Sequence, residues 1–375
     1  MESVNQVKNV LLIQVLNSFV GGVLGVAVPL MMKARNVDVV VIGFVFASMP
    51  LIMQLGRIFF ATVSDFWGRK LFFVSNGVLG VISGLIYYAA HSPLEFLFGK
   101  VMEGTKEGSL WAVNRAFLLE KNGGDWRILV YLRTVAYVAY ALGSLIAGFL
   151  IVWFLFEGTM LICTLFSIFV LTLALLLATE KRGQFSMTKA LQFLDFRKKT
   201  RVFKIFLFLF FVMGVSFGFV GGFIIPLFLD AVGFEAEGIG LVFGMEILVA
   251  GLFSYLFAKS SKMRELILLS GVLFSITLFL LGFTTWILAA TLVIFFGFVQ
   301  GMASIGQEGI LSKVADKVSY GTDIGLLMMG LHLGETFSLA LSGILIALWG
   351  FVAPFTLAAS TYVLFYVGAY MLLKE

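Results

Sequence analysis

Stretches of about 20 mainly apolar residues, the length that crosses the hydrocarbon core of a bilayer, recur from residue 9 to residue 373. In lipid the backbone has no water to bond to, so each such stretch has to satisfy its own amides, and a helix does that. Hydrophobic residues make up 61% of the 375 and charged ones 13%, which leaves little chain for a soluble domain. The single cysteine, Cys163, lies in an apolar run and excludes both an internal disulfide and a cysteine metal site. The first run, Val10 to Met32, is too long for a signal-peptide core and is expected to be a retained helix.

Reading the apolar runs against their charged or turn-forming breaks predicts twelve transmembrane helices. The first six cover 9–32, 38–63, 70–90, 94–119, 128–155 and 158–179. The second six cover 203–229, 237–258, 264–283, 286–312, 322–348 and 351–373. Between them lies the longest polar stretch, EKRGQFSMTKALQFLDFRKKTRVFK (180–204). The chain is therefore expected to hold an N-terminal bundle (1–180), a cytoplasmic linker (181–202) and a C-terminal bundle (203–375). The linker bases either touch anionic headgroups or are simply solvated.

Lys and Arg beside a span stay on the cytoplasmic side. Alternate loops separate on this rule. One set holds Arg69 and Lys70, Lys121 and Arg127, the linker, Lys259, Lys262 and Arg264, and Lys313 and Lys317. The other has only Lys33 and Arg35, among Glu95, Glu157, Asp230, Glu235 and Glu237. Both termini are then expected in the cytoplasm, in a multi-pass protein of the plasma membrane. The net charge of +5 reflects this bias, and bases spread over loops offer no folded surface to nucleic acid.

The two halves repeat each other. GKVMEGTKEG (99–108) in the fourth predicted helix corresponds to FGFVQGMASIG (296–306) in the tenth, with Glu103-Gly104 against Gln300-Gly301. LFAKSSKMR (256–264) corresponds to the loop after the second helix, with Ala258 in the place of Asp65. Twelve spans, a basic central loop and repeated halves favour a secondary transporter of two pseudo-symmetric six-helix bundles, with its site at the midplane.

ATVSDFWGRK (61–70) resembles the loop signature of the major facilitator superfamily, G-x-L-x-D-r-x-G-r-K. Asp65, Gly68, Arg69 and Lys70 match, while Ala61 and Phe66 replace the first glycine and the first base. KVMEG (100–104) is similar to the family's fourth-helix R-x-x-q-G, with Lys100 for arginine. GSLIAG (143–148) is similar to the helix-five G-P-x-x-G-G, with Ser144 for proline and Ala147 for a glycine. The resemblance implies the major facilitator fold and a latch role for Asp65, Gly68, Arg69 and Lys70, formed in one conformational state and broken in another. For Arg69 and Lys70 alone, enforcing membrane orientation is an equal reading.

Charged groups within spans speak to the substrate, because an ionised side chain at mid-bilayer costs about 2.5–3.5 kcal/mol even on the lenient scale. At about 100° per residue, Lys100, Glu103, Glu107, Trp111 and Asn114 share one face of the fourth helix, with Lys106 to the side. The tenth carries Gln300, Ser304 and Glu308, and the eleventh His332 and Glu335. Gln14 and Asn17, Arg133, Tyr137, Tyr140 and Ser144, and Glu246 come from the first, fifth and eighth.

A carboxyl in a low-dielectric cavity takes up or releases a proton according to which side has access. Glu103, Glu107, Glu246, Glu308 and Glu335 are thus candidates for proton coupling or for binding a cation. Ion pairs to Lys100 and Lys106 are the competing structural reading of Glu103 and Glu107. His332, whose ordinary pKa is about 6.5, either relays protons beside Glu335 or is a hydrogen-bonded packing residue. His91 and Glu95 have a metal-ligand spacing, but Pro93 between them argues against a site.

No G-x-x-x-x-G-K-[ST] occurs, and the glycines of 77–84, 104–108 and 238–244 have the small-xxx-small spacing of helix packing. No cofactor or metal is called for. The expected activity is proton-coupled secondary transport of a small solute by alternating access, in a monomer, leaning to export of amphipathic or cationic compounds. Uptake of a sugar, organic acid or other metabolite is the alternative, with Lys100, Lys106 and Arg133 as partners for an anion. A membrane-embedded enzyme lacks a catalytic constellation here, and a lipid-moving role is the remaining class.

Overall fold

The computed structural model describes residues 2–121, 127–178, 199–257, 263–314 and 320–372. Its helices are α1 (Glu2–Ala34), α2 (Val39–Trp67), α3 (Lys70–Ala89), α4 (Pro93–Lys121), α5 (Arg127–Leu175) and α6 (Arg201–Gly218). They continue as α7 (Ile224–Ala231), α8 (Ala236–Phe257), α9 (Met263–Leu281), α10 (Trp286–Val314), α11 (Tyr320–Trp349) and α12 (Val352–Leu372).

This count of twelve agrees with the expectation only because two differences cancel. The predicted fifth and sixth helices form one assigned element, α5, broken at Leu155, whose φ of 59° and ψ of −179° are not helical. The predicted seventh helix is instead two, α6 and α7, separated at 219–223, where Gly222 takes a φ of 62°. The break at 219–223 holds no charged or hydroxyl side chain, so hydropathy gives no sign of it, and only the Gly221-Gly222 pair marks a turn.

Nine helical stretches among the described residues are long and apolar enough to cross a membrane. One of them, Tyr131–Leu175, has 45 residues, enough for both arms of α5. The 29 residues of α4 are missing from that set because Lys100, Glu103, Lys106 and Glu107 interrupt them. Large apolar side chains stand outward on several helices, among them Trp153, Phe208, Phe279 and Leu364. Such surface suits lipid and would be a liability in water.

The chain divides into two compact units: unit 1 is Met1–Asp38, Ser48–Phe185 and Glu235–Gly244, and unit 2 is Val39–Ala47, Ser186–Phe234 and Met245–Glu375. The first turns of α2 and of α8 therefore each belong to a different unit from the rest of their helix. Most of the expected linker, 181–198, falls outside the described residues.

In unit 1, glycines let helices touch at backbone distance. A Cβ at Gly22 would collide with the Tyr140 carbonyl, joining α1 to the first arm of α5. Gly77, Gly80 and Gly84 on α3 sit against Leu171, Ser167 and Thr164 on the second arm, and Gly240 and Gly244 against Ser144 and Leu145. The glycine pattern is thus a packing pattern. One end of the unit is an apolar core of Val10, Ile13, Phe72, Phe73, Leu110, Val113, Phe117 and Leu132.

Unit 2 uses the same device. Gly214 on α6 meets the Leu331 carbonyl of α11, and Gly334 on α11 meets the Phe211 carbonyl of α6. Gly43 lies against Leu339 and Gly343. Edge-on aromatic pairs, Phe217 with Tyr362 and Phe274 with Phe296, fill the space among α6, α9, α10 and α12.

Candidate functional site

Unit 1 contains a buried polar cluster built on α4. Lys100 (2% exposed) donates to Glu103 (4% exposed) at 2.8 Å, and the Tyr87 hydroxyl of α3 donates to the same carboxylate oxygen at 2.7 Å. Lys100 also stands 6.0 Å from the Tyr87 ring centre. Ser83 of α3 donates to the Gly99 carbonyl at 3.3 Å. Glu103 is thereby matched in charge and in hydrogen bonding, and it ties α4 to α3.

One turn further on, the second pair is looser. Lys106 lies 3.6 Å from Glu107, beyond hydrogen-bonding range. Asn17 of α1 donates to Glu107 at 2.9 Å, and Asn76 of α3 donates to the Asn17 side-chain oxygen at 3.3 Å and to the Lys106 carbonyl at 3.0 Å. Asn114 donates to Gln14 at 2.7 Å, and Gln14 to Ser18 at 2.8 Å. Of the expected candidates, Gln14, Asn17, Glu103, Glu107 and Asn114 therefore come together, but they turn toward two neighbours, α3 and α1.

Arg133 rests over the ring of Tyr137 at 5.7 Å, one turn along its own helix. Tyr140 and Ser144 are packing residues of the α1 to α5 contact, Ser144 donating to the Gly22 carbonyl at 3.2 Å.

In unit 2, Glu246 of α8 is 3% exposed, and no hydrogen bond or ion pair to it occurs among the described residues. Its backbone carbonyl abuts Gly297 of α10. His332 Nδ1 lies 3.0 Å from Glu335 on α11, both half-buried. Gln300 is half-buried, Ser304 shares a hydrogen bond with Ser254 of α8 at 2.8 Å, and Glu308 is exposed. Lys199, just before α6, is bonded to the buried Asp323 of α11.

The loop signature has a backbone role as well. Gly68 takes a φ of 82°, which favours glycine, and its amide closes on Ser64 O at 3.1 Å to end α2. Arg69 is buried in the N-cap position of α3, and Lys70 is that helix's first residue. The side chain of Asp65 lies outside the described residues.

Glu95 has a capping role. Its carboxylate accepts from the backbone amides of His91 at 2.6 Å and Ser92 at 2.8 Å, in front of Pro93. These two N–H donors hold its carboxyl below the usual range. No group of three or more His, Cys, Asp or Glu that could hold a metal occurs among the described residues.

Sequence reasoning did not single out Asn76, Ser83 or Tyr87. Asn76 carried a signal, since it is a lone amide inside the apolar run of α3. Tyr87 carried none, because an aromatic near the end of a span is ordinary.

The family model for the Major Facilitator Superfamily matches residues 10–264. No curated protein matches the sequence at a significant level. Among solved structures, the nucleoside transporter NupG is similar, with a TM-score of 0.80 and 14% identity, over 99% of this chain and 100% of that one. A point mutant of the same transporter gives 0.82 at the same identity and coverage.

Proposed function

The chain belongs to the major facilitator superfamily, and from that premise we propose that it takes up a small polar metabolite by alternating access, coupled to protons. It is a membrane transporter and not an enzyme. The observation that carries the proposal is the buried cluster on α4. Four ionisable side chains on α4, bordered by four side-chain amides from α1, α3 and α4 itself, are costly in lipid and are explained by a hydrophilic cargo. An amphipathic drug would call for an apolar, aromatic lining instead, so the alternative, uptake of a metabolite, is preferred to export of amphipathic or cationic compounds. The similar solved structure is that of a nucleoside transporter, which supports the same choice and makes nucleosides the first compounds to test.

We assign the proton to Glu246. A buried carboxyl with no bonded partner among the described residues is costly when ionised and has nothing to lose on protonation, whereas Glu103 is held by Lys100 and Tyr87. In proteoliposomes, an inside-alkaline gradient should drive labelled uridine inward, and a protonophore should abolish accumulation. Glu246→Gln should keep downhill exchange and lose gradient-driven accumulation. Accumulation insensitive to both the protonophore and the substitution would sink the coupling.

The 64–70 loop is read as a conformational latch and both termini as cytoplasmic. Arg69→Ala should change the rate of conformational exchange without changing solute affinity. Reporter domains fused to each end, active only in the cytoplasm, test the orientation.

A further inference from the structure

Resting on the transporter reading above, we propose that the amide relay of unit 1 selects an uncharged, hydroxyl-bearing solute, and that Asn76 is the positioning residue that sets the relay. The charge pattern supports the first part. Within eight residues α4 carries two cations and two carboxylates, and each cation faces a carboxylate of the same helix: Lys100 with Glu103 at 2.8 Å, and Lys106 with Glu107 at 3.6 Å. The cluster is therefore neutral. A charged solute arriving there would leave one charge uncompensated in a buried setting, where lone charges are strongly penalised. A hydroxyl group brings no such excess.

Glu107 has room for it. A carboxylate offers about four acceptor sites, and among the described residues the only hydrogen bond to Glu107 comes from Asn17. Its side chain is 13% exposed, against 6% for Glu103 and 4% for Lys106. Trp111, one helical turn on and half-buried, has the Arg115 guanidinium 5.3 Å from its ring centre.

Asn76 is 0% exposed, so it acts only through its neighbours. An amide side chain can turn over, exchanging its oxygen and nitrogen. Asn76 prevents this at Asn17 by donating to the Asn17 oxygen, while its other N–H is held by the Lys106 carbonyl. With its oxygen occupied, Asn17 must present N–H to Glu107. The relay then runs one way, Asn76 to Asn17 to Glu107, and the carboxylate is kept as an acceptor aimed at donor hydroxyls.

Proteoliposomes under an inward proton gradient would be offered labelled uridine and glucose as uncharged probes, with lactate and tetraphenylphosphonium as charged ones. Uridine or glucose should accumulate and the charged probes should not. Asn76→Leu should raise KM about tenfold with kcat kept within about threefold, and should add nothing in an Asn17→Ala background. If Asn76→Leu does not fold, Asn17→Leu, which removes the donor and adds no charge, should give the same rise in KM. Accumulation of only a charged probe overturns the inference and leaves the transporter reading intact. No gradient-dependent flux of any probe overturns both. An unchanged KM in Asn76→Leu or Asn17→Leu, or additive effects of Asn76→Leu and Asn17→Ala, overturns the positioning role.

Discussion

Lys100 and Glu103 form a buried ion pair within α4, and both are less than 5% exposed. Removing one member of a buried pair leaves the other uncompensated and costs about 3–5 kcal/mol, while replacing both by apolar groups of similar volume is close to neutral. Lys100→Met should therefore lower the thermal midpoint in detergent strongly, and Lys100→Met with Glu103→Leu should recover most of the loss. A double variant as unstable as the single one would mean that the pair has a role beyond mutual neutralisation. Glu95 gives a pH-dependent counterpart. Its carboxyl is held low in the folded chain, so its contribution is present above the unfolded pKa and is lost as pH falls through the folded value. The midpoint difference between the wild type and Glu95→Gln should be present at neutral pH and close up in acid. The spacing of the sequence put Lys100 within reach of Glu103, but not the Tyr87 hydroxyl, which arrives from another helix across 16 residues of chain.

Helices were legible wherever a polar break interrupted the apolar run, as between α2 and α3, where Gly68 turns the chain. Hydropathy misses their ends where backbone conformation changes inside apolar sequence, as at 219–223 between α6 and α7, where only Gly221-Gly222 marks the turn. Contacts between helices also depend on carbonyl positions that hydropathy does not encode. Gly214 and Gly325 are both helical, yet a Cβ at Gly214 would strike the Leu331 carbonyl, and one at Gly325 meets nothing within 4 Å. Gly214→Ala should cost about 1–3 kcal/mol by forcing α6 from α11. Gly325→Ala should instead stabilise by about 0.5–1 kcal/mol, as expected for removing a glycine from a helix interior. Thermal unfolding of the two variants compares them directly, and equal effects would show that the close approach is not what holds this pair.

Across the whole chain, the repeat marked equivalent positions but not equivalent chemistry. In the alignment of 99–108 with 296–306, Lys100 corresponds to Gly297, Lys106 to Ala303 and Glu107 to Ser304. The paired charges of α4 thus have no copy on α10, where Gly297 instead admits the α8 backbone. Positions that correspond in sequence carry a buried polar cluster in unit 1 and a tight helix contact in unit 2, a division that periodicity alone does not announce. Global unfolding has its own reporter in Cys163, the chain's single thiol, which is 2% exposed. A maleimide should leave it unmodified in the folded protein and label it at the rate of unfolding. Rapid labelling at room temperature, below any loss of helix signal, would show local opening around the second arm of α5. The same buried sulfur has a practical use. After Cys163→Ala the chain is chemically blank to thiol reagents, so pairs of cysteines placed at will become the ends of a spectroscopic ruler, and the transport cycle can be followed as changing distances in one molecule.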